Sequence, residues 1–132
     1  MCIFCKIANK EIESNIVYEN DYVVAFLDLS QETIGHTLVV PKKHFKNIYE
    51  LDELYASEIF KAVVKASKAL RKTFNPIGLN LLNNNEKPLQ SVEHFHIHLL
   101  PRYENDGLVI EGHPTHDKLD LVELKNMILK NF

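Results

Sequence analysis

Two hydrophobic periods divide the chain. Residues 16–18 and 22–28 are short runs rich in β-branched and aromatic side chains, separated by Glu19-Asn20-Asp21, and they predict a β-hairpin. Thr37-Leu38-Val39-Val40 follows Gly35 and stops at Pro41, an unbroken apolar run that predicts a third strand buried on both faces. From residue 51 to 74 the period lengthens: Tyr55, Ile59, Ala62, Val63, Ala66 and Leu70 fall on one helical stripe, with lysines and glutamates elsewhere. Asp52 is placed to cap this helix. Asn75-Pro76 ends it, because proline lacks an N–H donor and disfavours helical geometry in the residue before it. Residues 77–82 predict a fourth strand, 83–88 a polar loop, and 92–100 a fifth strand closed by Pro101. A last amphipathic helix is predicted over residues 118–130, with Leu121, Leu124 and Ile128 turned inward.

Strands in sequence with one long helix inserted and another at the end predict an α+β fold, a mostly antiparallel sheet of five strands. No internal repeat, linker or charge block divides residues 1–132, so one domain is expected. The composition agrees, since 45% hydrophobic and 25% charged residues suit a globular chain with its own core. A net charge of -3 leaves no basic field and argues against binding a nucleic acid polymer, while a local anion site stays open. No apolar run approaches the roughly 20 residues that cross a bilayer, and the first residues lack a basic segment followed by a long apolar one. A cytoplasmic protein without a membrane partner is expected.

The chemistry concentrates in His94-Phe95-His96-Ile97-His98. In a strand, successive side chains alternate faces, so the three histidines would share one face and Phe95, Ile97 and Leu99 the other. A neutral imidazole is a good nucleophile near pH 7, and a neighbour on its second nitrogen fixes the tautomer, which suits attack on phosphorus. A three-histidine metal site and a plain polar sheet face are the alternatives. Gln90, Ser91 and the Val92 backbone immediately precede the histidines and supply donors suited to phosphoryl oxygens. His36 is a fourth histidine, at the start of the third strand.

Gly35-His36-Thr37-Leu38-Val39-Val40-Pro41-Lys42-Lys43-His44, followed by Gln90-Ser91-Val92-x-His94-x-His96-x-His98-x-x-Pro101-Arg102, resembles the histidine-triad (HIT) superfamily of nucleotide hydrolases and transferases. The resemblance runs from Cys2 to about Gly107 and is greatest to the Hint-like branch, in particular to bacterial members that begin Cys-x-x-Cys. It implies that His96 attacks the α-phosphorus of a purine nucleoside 5′-phosphoramidate or dinucleoside polyphosphate, and that water then releases the nucleotidyl-histidine. By the same carry-over His98 contacts the α-phosphate, His94 sits behind the nucleophile, His36 completes a relay, and Ser91 bonds the leaving group or phosphate. Ile3, Phe4, Ile7, Phe26 and Leu27 would enclose the purine and Asp28 the ribose hydroxyls. Asn83 would reach ribose or phosphate, and Gln90 and Val92 would help hold the phosphate. The family usually has a glycine before Gln-Ser/Thr-Val and another after the asparagine, where this chain has Pro88-Leu89 and Asn84-Asn85. A homodimer joining two sheets into ten strands is also implied. A nucleotide-binding or interaction protein with weak or no turnover is the competing function.

Cys2 and Cys5 are the only cysteines and supply half of a tetrahedral zinc site. On the resemblance, His44 and His94 are the other two ligands of a structural zinc. The alternatives are two small hydrophobes at a frayed chain end, or a redox pair, although redox C-x-x-C motifs open a helix after a strand. His113 and His116 are expected to face solvent.

Overall fold

The computed structural model describes residues 2–112 and 118–132; His113 and His116 lie outside the described residues. The elements run α1 (Ile3–Ala8), β1 (Ile16–Glu19), β2 (Val23–Leu27), β3 (Thr37–Pro41), α2 (Glu53–Phe74), β4 (Gly78–Leu82), β5 (Ile97–Arg102) and α3 (Leu121–Leu129). One antiparallel sheet of five strands has the order β1-β2-β3-β5-β4. This is the α+β arrangement the pattern predicts. The β1–β2 turn forms because the Asn20 side-chain oxygen accepts from the backbone N–H of Tyr22 at 2.8 Å and of Val23 at 2.9 Å.

All five residues of β3 are buried, as an unbroken apolar run requires when both faces are covered. On one face Val23, Ala25, Val39, Ile97 and Leu99 pack with the α2 stripe of Ile59, Ala62, Val63, Ala66 and Leu70. On the other, Val24, Phe26, Leu38 and Val40 pack under Phe4, Ile7 and Ala8 of α1. Asp52 caps α2 by accepting from the Tyr55 N–H at 2.8 Å. Asn75 closes the helix in the left-handed region (φ 47°), its N–H donating to the Arg71 carbonyl at 3.0 Å.

Three expectations need correction, and one alternative falls. Residues 3–8 form a helix rather than a frayed end, with the Cys2 sulfur accepting from the Cys5 N–H at 3.3 Å. The fifth strand starts at Ile97, not at residue 92, so His94 and His96 stand in the bend before it. There the backbone is held by other bonds: Phe95 N–H donates to the Phe45 carbonyl at 2.7 Å and His94 N–H to the Val92 carbonyl at 2.8 Å. Pro101 lies within β5 and does not close it, which is tolerated because β3 pairs only with residues 97–99 of β5. In α3, Leu121, Leu124 and Ile128 are exposed rather than turned inward. An amphipathic pattern specifies a face that needs cover, and no described residue of this chain buries it.

Gly35 has φ +93°, and a Cβ there would stand 2.9 Å from the Phe74 ring and 3.3 Å from Pro101 Cγ. Both the backbone angle and the space exclude a side chain. Gly35→Ala is therefore expected to cost about 1–3 kcal/mol in urea unfolding, with no change in slope. A variant as stable as the wild type would contradict this account of the turn.

Candidate functional site

The bend at residues 91–96 separates the histidines. His94 is fully buried and points away from the other two, its Nε2 donating to the Pro41 carbonyl at 2.8 Å. That bond leaves Nδ1 with a lone pair, directed at Cys2 Sγ (3.3 Å), Cys5 Sγ (3.5 Å) and His44 Nδ1 (3.1 Å). The remaining separations are 3.1 Å between the two sulfurs, and 3.6 and 3.3 Å from His44 Nδ1 to Cys2 and Cys5. All six edges thus lie between 3.1 and 3.6 Å, a nearly regular tetrahedron whose centre is about 2 Å from every donor, close to the bond lengths of thiolate and imidazole to zinc. Burial and the adjacent Cys2 push the Cys5 thiol up to about 11, so two thiolates here call for a cation between them. Cys2, Cys5, His44 and His94 could hold a metal ion.

His96 turns the other way. Its Nδ1 donates to the His94 carbonyl at 2.7 Å, which fixes the tautomer and leaves the lone pair on Nε2. Burial holds its pKa below the usual histidine value, so the ring is neutral at pH 7. His98 is pushed down to about 4, by burial first and then by His96 and His36. His98 Nδ1 lies 2.8 Å from His36 Nε2, and His36 Nδ1 donates to the Ser30 carbonyl at 3.2 Å. The Phe4 ring stands edge-on to both His94 and His96, at 5.9 and 5.1 Å between centroids, and separates the sulfur cluster from the cleft.

A cleft of about 880 Å³ opens beside these rings. Ile3, Phe4, Ile7, Phe26, Leu27, Asp28, Ser91, Val92, His96 and His98 line it, residues drawn from α1, β2, the bend and β5. Four of the residues singled out for catalysis or nucleotide binding stand outside that lining. His94 belongs to the sulfur cluster, and His36 stands behind His98. Asn83 donates to the His96 carbonyl at 2.9 Å, so its side chain steadies the backbone of the bend. Gln90 is buried: it accepts from Glu86 N–H at 2.9 Å and donates to the Lys46 carbonyl at 2.7 Å. The left-handed residue of this loop is Glu86 (φ 66°), while Leu89 and Asn84 keep negative φ, so neither position demands glycine.

Sequence reasoning missed Ser30 and the segment between α1 and β1, where Lys10, Ser14 and Asn15 complete the cleft wall. Ser30 donates to Asp28 Oδ1 through its N–H (2.9 Å) and hydroxyl (3.0 Å). The Asp-x-Ser spacing is the signal that could have shown this turn.

The HIT domain model matches residues 9–105. The chain belongs to the HIT family. Among HIT relatives it is 56% identical over 108 residues to Protein hit of Bacillus subtilis, covering 80% of this chain and 74% of that one. It is 32% identical over 117 residues to the adenosine 5′-monophosphoramidase of Saccharomyces cerevisiae, covering 88% and 72%. A HIT family crystal structure from Bacillus anthracis superposes with a TM-score of 0.92 at 46% identity, over 98% of this chain and 94% of that one. A zinc-bound histidine triad family protein from Mycobacterium smegmatis superposes with a TM-score of 0.76 at 28% identity, over 89% and 86%. The matched span begins after α1, so Cys2, Cys5 and Phe4 lie outside the HIT domain model.

Proposed function

We propose that this HIT protein hydrolyses purine nucleoside 5′-phosphoramidates or dinucleoside polyphosphates at the α-phosphate, through a nucleotidyl intermediate on His96. The observation that carries the reading is the neutral His96 ring in the cleft wall, its tautomer set by the His94 carbonyl. The yeast relative named for this activity supports it.

In the first step His96 Nε2 forms a bond to phosphorus as the bond to the leaving group breaks, and the leaving amine takes up a proton from solvent in the open cleft. The ring becomes positively charged without losing its Nδ1 hydrogen, and the His94 carbonyl, already accepting that hydrogen, stabilises the charge. In the second step water attacks phosphorus and the Nε2 bond breaks; one proton of the water stays on the nucleotide and the other returns to solvent, replacing the one the amine took. Dividing the displacement lets one site handle donor and water in turn. His98, whose Nδ1 lies against His36, donates to an α-phosphoryl oxygen once its hydrogen moves from Nδ1 to Nε2, and Ser91 bonds the leaving group or phosphate. Phe4, Ile7, Phe26 and Leu27, with Ile3, enclose the base, and Asp28 takes the ribose hydroxyls. Asn83 and Gln90 act indirectly, by holding the bend that carries Ser91, Val92 and His96.

Incubation with adenosine 5′-phosphoramidate is expected to release AMP, and rapid acid-free quenching to trap AMP on a peptide containing His96. AMP release with the adduct on another residue would refute the assignment.

Zinc suits the Cys2, Cys5, His44 and His94 tetrahedron, and the zinc-bound mycobacterial neighbour supports that choice. The ion would be structural, joining α1 to the bend. The chain also carries an edge strand, β4, with Leu79 and Leu81 exposed, and α2 leaves Phe60 and Val64 exposed. Pairing these across a two-fold axis gives a homodimer with ten strands in one sheet. Light scattering is expected to return twice the 15.3 kDa chain mass; a monomer mass would exclude it. No helix of the described residues is long and apolar enough to cross a membrane.

A further inference from the structure

Among the described residues a second set of donors converges besides the sulfur cluster: Asp28, His36 and His98, their ligand atoms all within 4.8 Å of one another. We infer that these three side chains form a transition-metal site in the cleft wall, whose occupation blocks nucleoside binding. The blocking effect rests on the function proposed above; the metal site itself does not.

The geometry fits a coordination sphere with small adjustment. His36 Nε2 is 2.8 Å from His98 Nδ1 and 3.7 Å from Asp28 Oδ2. Adjacent donors around an ion with bonds of about 2.0–2.2 Å stand about 2.9–3.5 Å apart, so the two separations at His36 fall either side of that range, and Asp28 and His98, within 4.8 Å of each other, close the third edge by a side-chain adjustment. The donors are also prepared by their other atoms. The Ser30 carbonyl can only accept, so His36 Nδ1 carries the hydrogen and Nε2 is a free lone pair. Asp28 Oδ1 is committed to the N–H and hydroxyl of Ser30, which leaves Oδ2 facing His36. A single residue, Ser30, thus orients two of the three ligands, as supporting bonds do in established metal sites.

In the resting protein one hydrogen bridges the two imidazoles, donated by His98 Nδ1 to His36 Nε2. Moving that hydrogen to His98 Nε2 frees the Nδ1 lone pair, so an ion enters without net proton loss. Two imidazoles and one carboxylate favour zinc, copper, nickel or cobalt over magnesium or calcium. Asp28 lines the cleft, so ligating the ion through its carboxylate withdraws the ribose acceptor.

Cobalt(II) is the probe, because thiolate-bound cobalt shows an intense near-ultraviolet charge-transfer band that a nitrogen and oxygen site lacks. Protein as purified is titrated, and the cobalt bound without that band is counted. One such equivalent is expected for the wild type. His36→Ala should weaken it at least about a hundredfold and Asp28→Asn at least about tenfold. Asp28 is partly exposed, so its variant keeps the test valid if the buried His36→Ala change unfolds the protein. No thiolate-free equivalent in the wild type, or unchanged affinity in Asp28→Asn, would overturn the site. Adenosine, which has no phosphate to chelate cobalt, should weaken the same equivalent by competition. If adenosine binds and cobalt affinity stays the same, the blocking role is wrong; if adenosine does not bind cobalt-free protein, the nucleotide reading fails while the metal count stands.

Discussion

His96→Ala is expected to lower AMP release from adenosine 5′-phosphoramidate by at least about a thousandfold while leaving AMP binding largely intact. The rate effect is large because, in the proposed mechanism, the imidazole forms the bond to phosphorus, so no other group can replace it by adjusting its position. Binding survives because the base and ribose subsites draw on Phe4, Ile7, Phe26 and Asp28, none of which is held by the His96 side chain through a hydrogen bond in this structure. The ring does pack edge-on against Phe4 at 5.1 Å and His98 at 4.9 Å, so its removal also leaves a small void. A thermal melt run beside the assay separates loss of the nucleophile from loss of the fold. Release by His96→Ala at more than about a tenth of the wild-type rate would mean that another residue attacks phosphorus.

How much of this was legible in the sequence depended on the range of the signal. The α2 stripe was legible because Ile59, Ala62, Val63, Ala66 and Leu70 repeat over about three turns and all are buried. β3 was legible because an apolar run between Gly35 and Pro41 has one simple use. α1 was not, since six residues carry less than two turns of period, and its amphipathic spacing of Phe4, Ile7 and Ala8 sits among cysteines that draw the eye to metal chemistry. The histidine segment misled in a particular way. Its alternation matches a strand, yet His94 and His96 take their directions from the carbonyls of Pro41 and of His94 itself, contacts that no periodicity encodes. The Ser30 contacts to Asp28 and His36 join residues two to six positions apart through a turn, where composition alone gives only an Asp and a Ser near each other.

Cys5→Ser, or removal of the metal by a strong chelator, is expected to lower the melting temperature by on the order of 10 °C. An ion that binds only the folded chain, at a concentration a thousand times its Kd, contributes about 4 kcal/mol, and a chain of this length loses several degrees per kcal/mol. The size follows from what the tetrahedron joins: α1 through Cys2 and Cys5, the segment after β3 through His44, and the bend through His94. Metal content measured beside the melt should fall with it; a Cys5→Ser protein with unchanged metal and melting point would show that the four side chains do not act as ligands. Activity should fall as well, though far less than in His96→Ala. The His94 ring anchors the carbonyl that accepts from His96 Nδ1, and Phe4 on α1 packs against His96. Releasing the ion leaves the nucleophile in place but loosens both restraints on its tautomer and orientation. The loss should therefore appear in kcat more than in KM, and restoring zinc to chelated wild type should recover it, whereas Cys5→Ser should not respond.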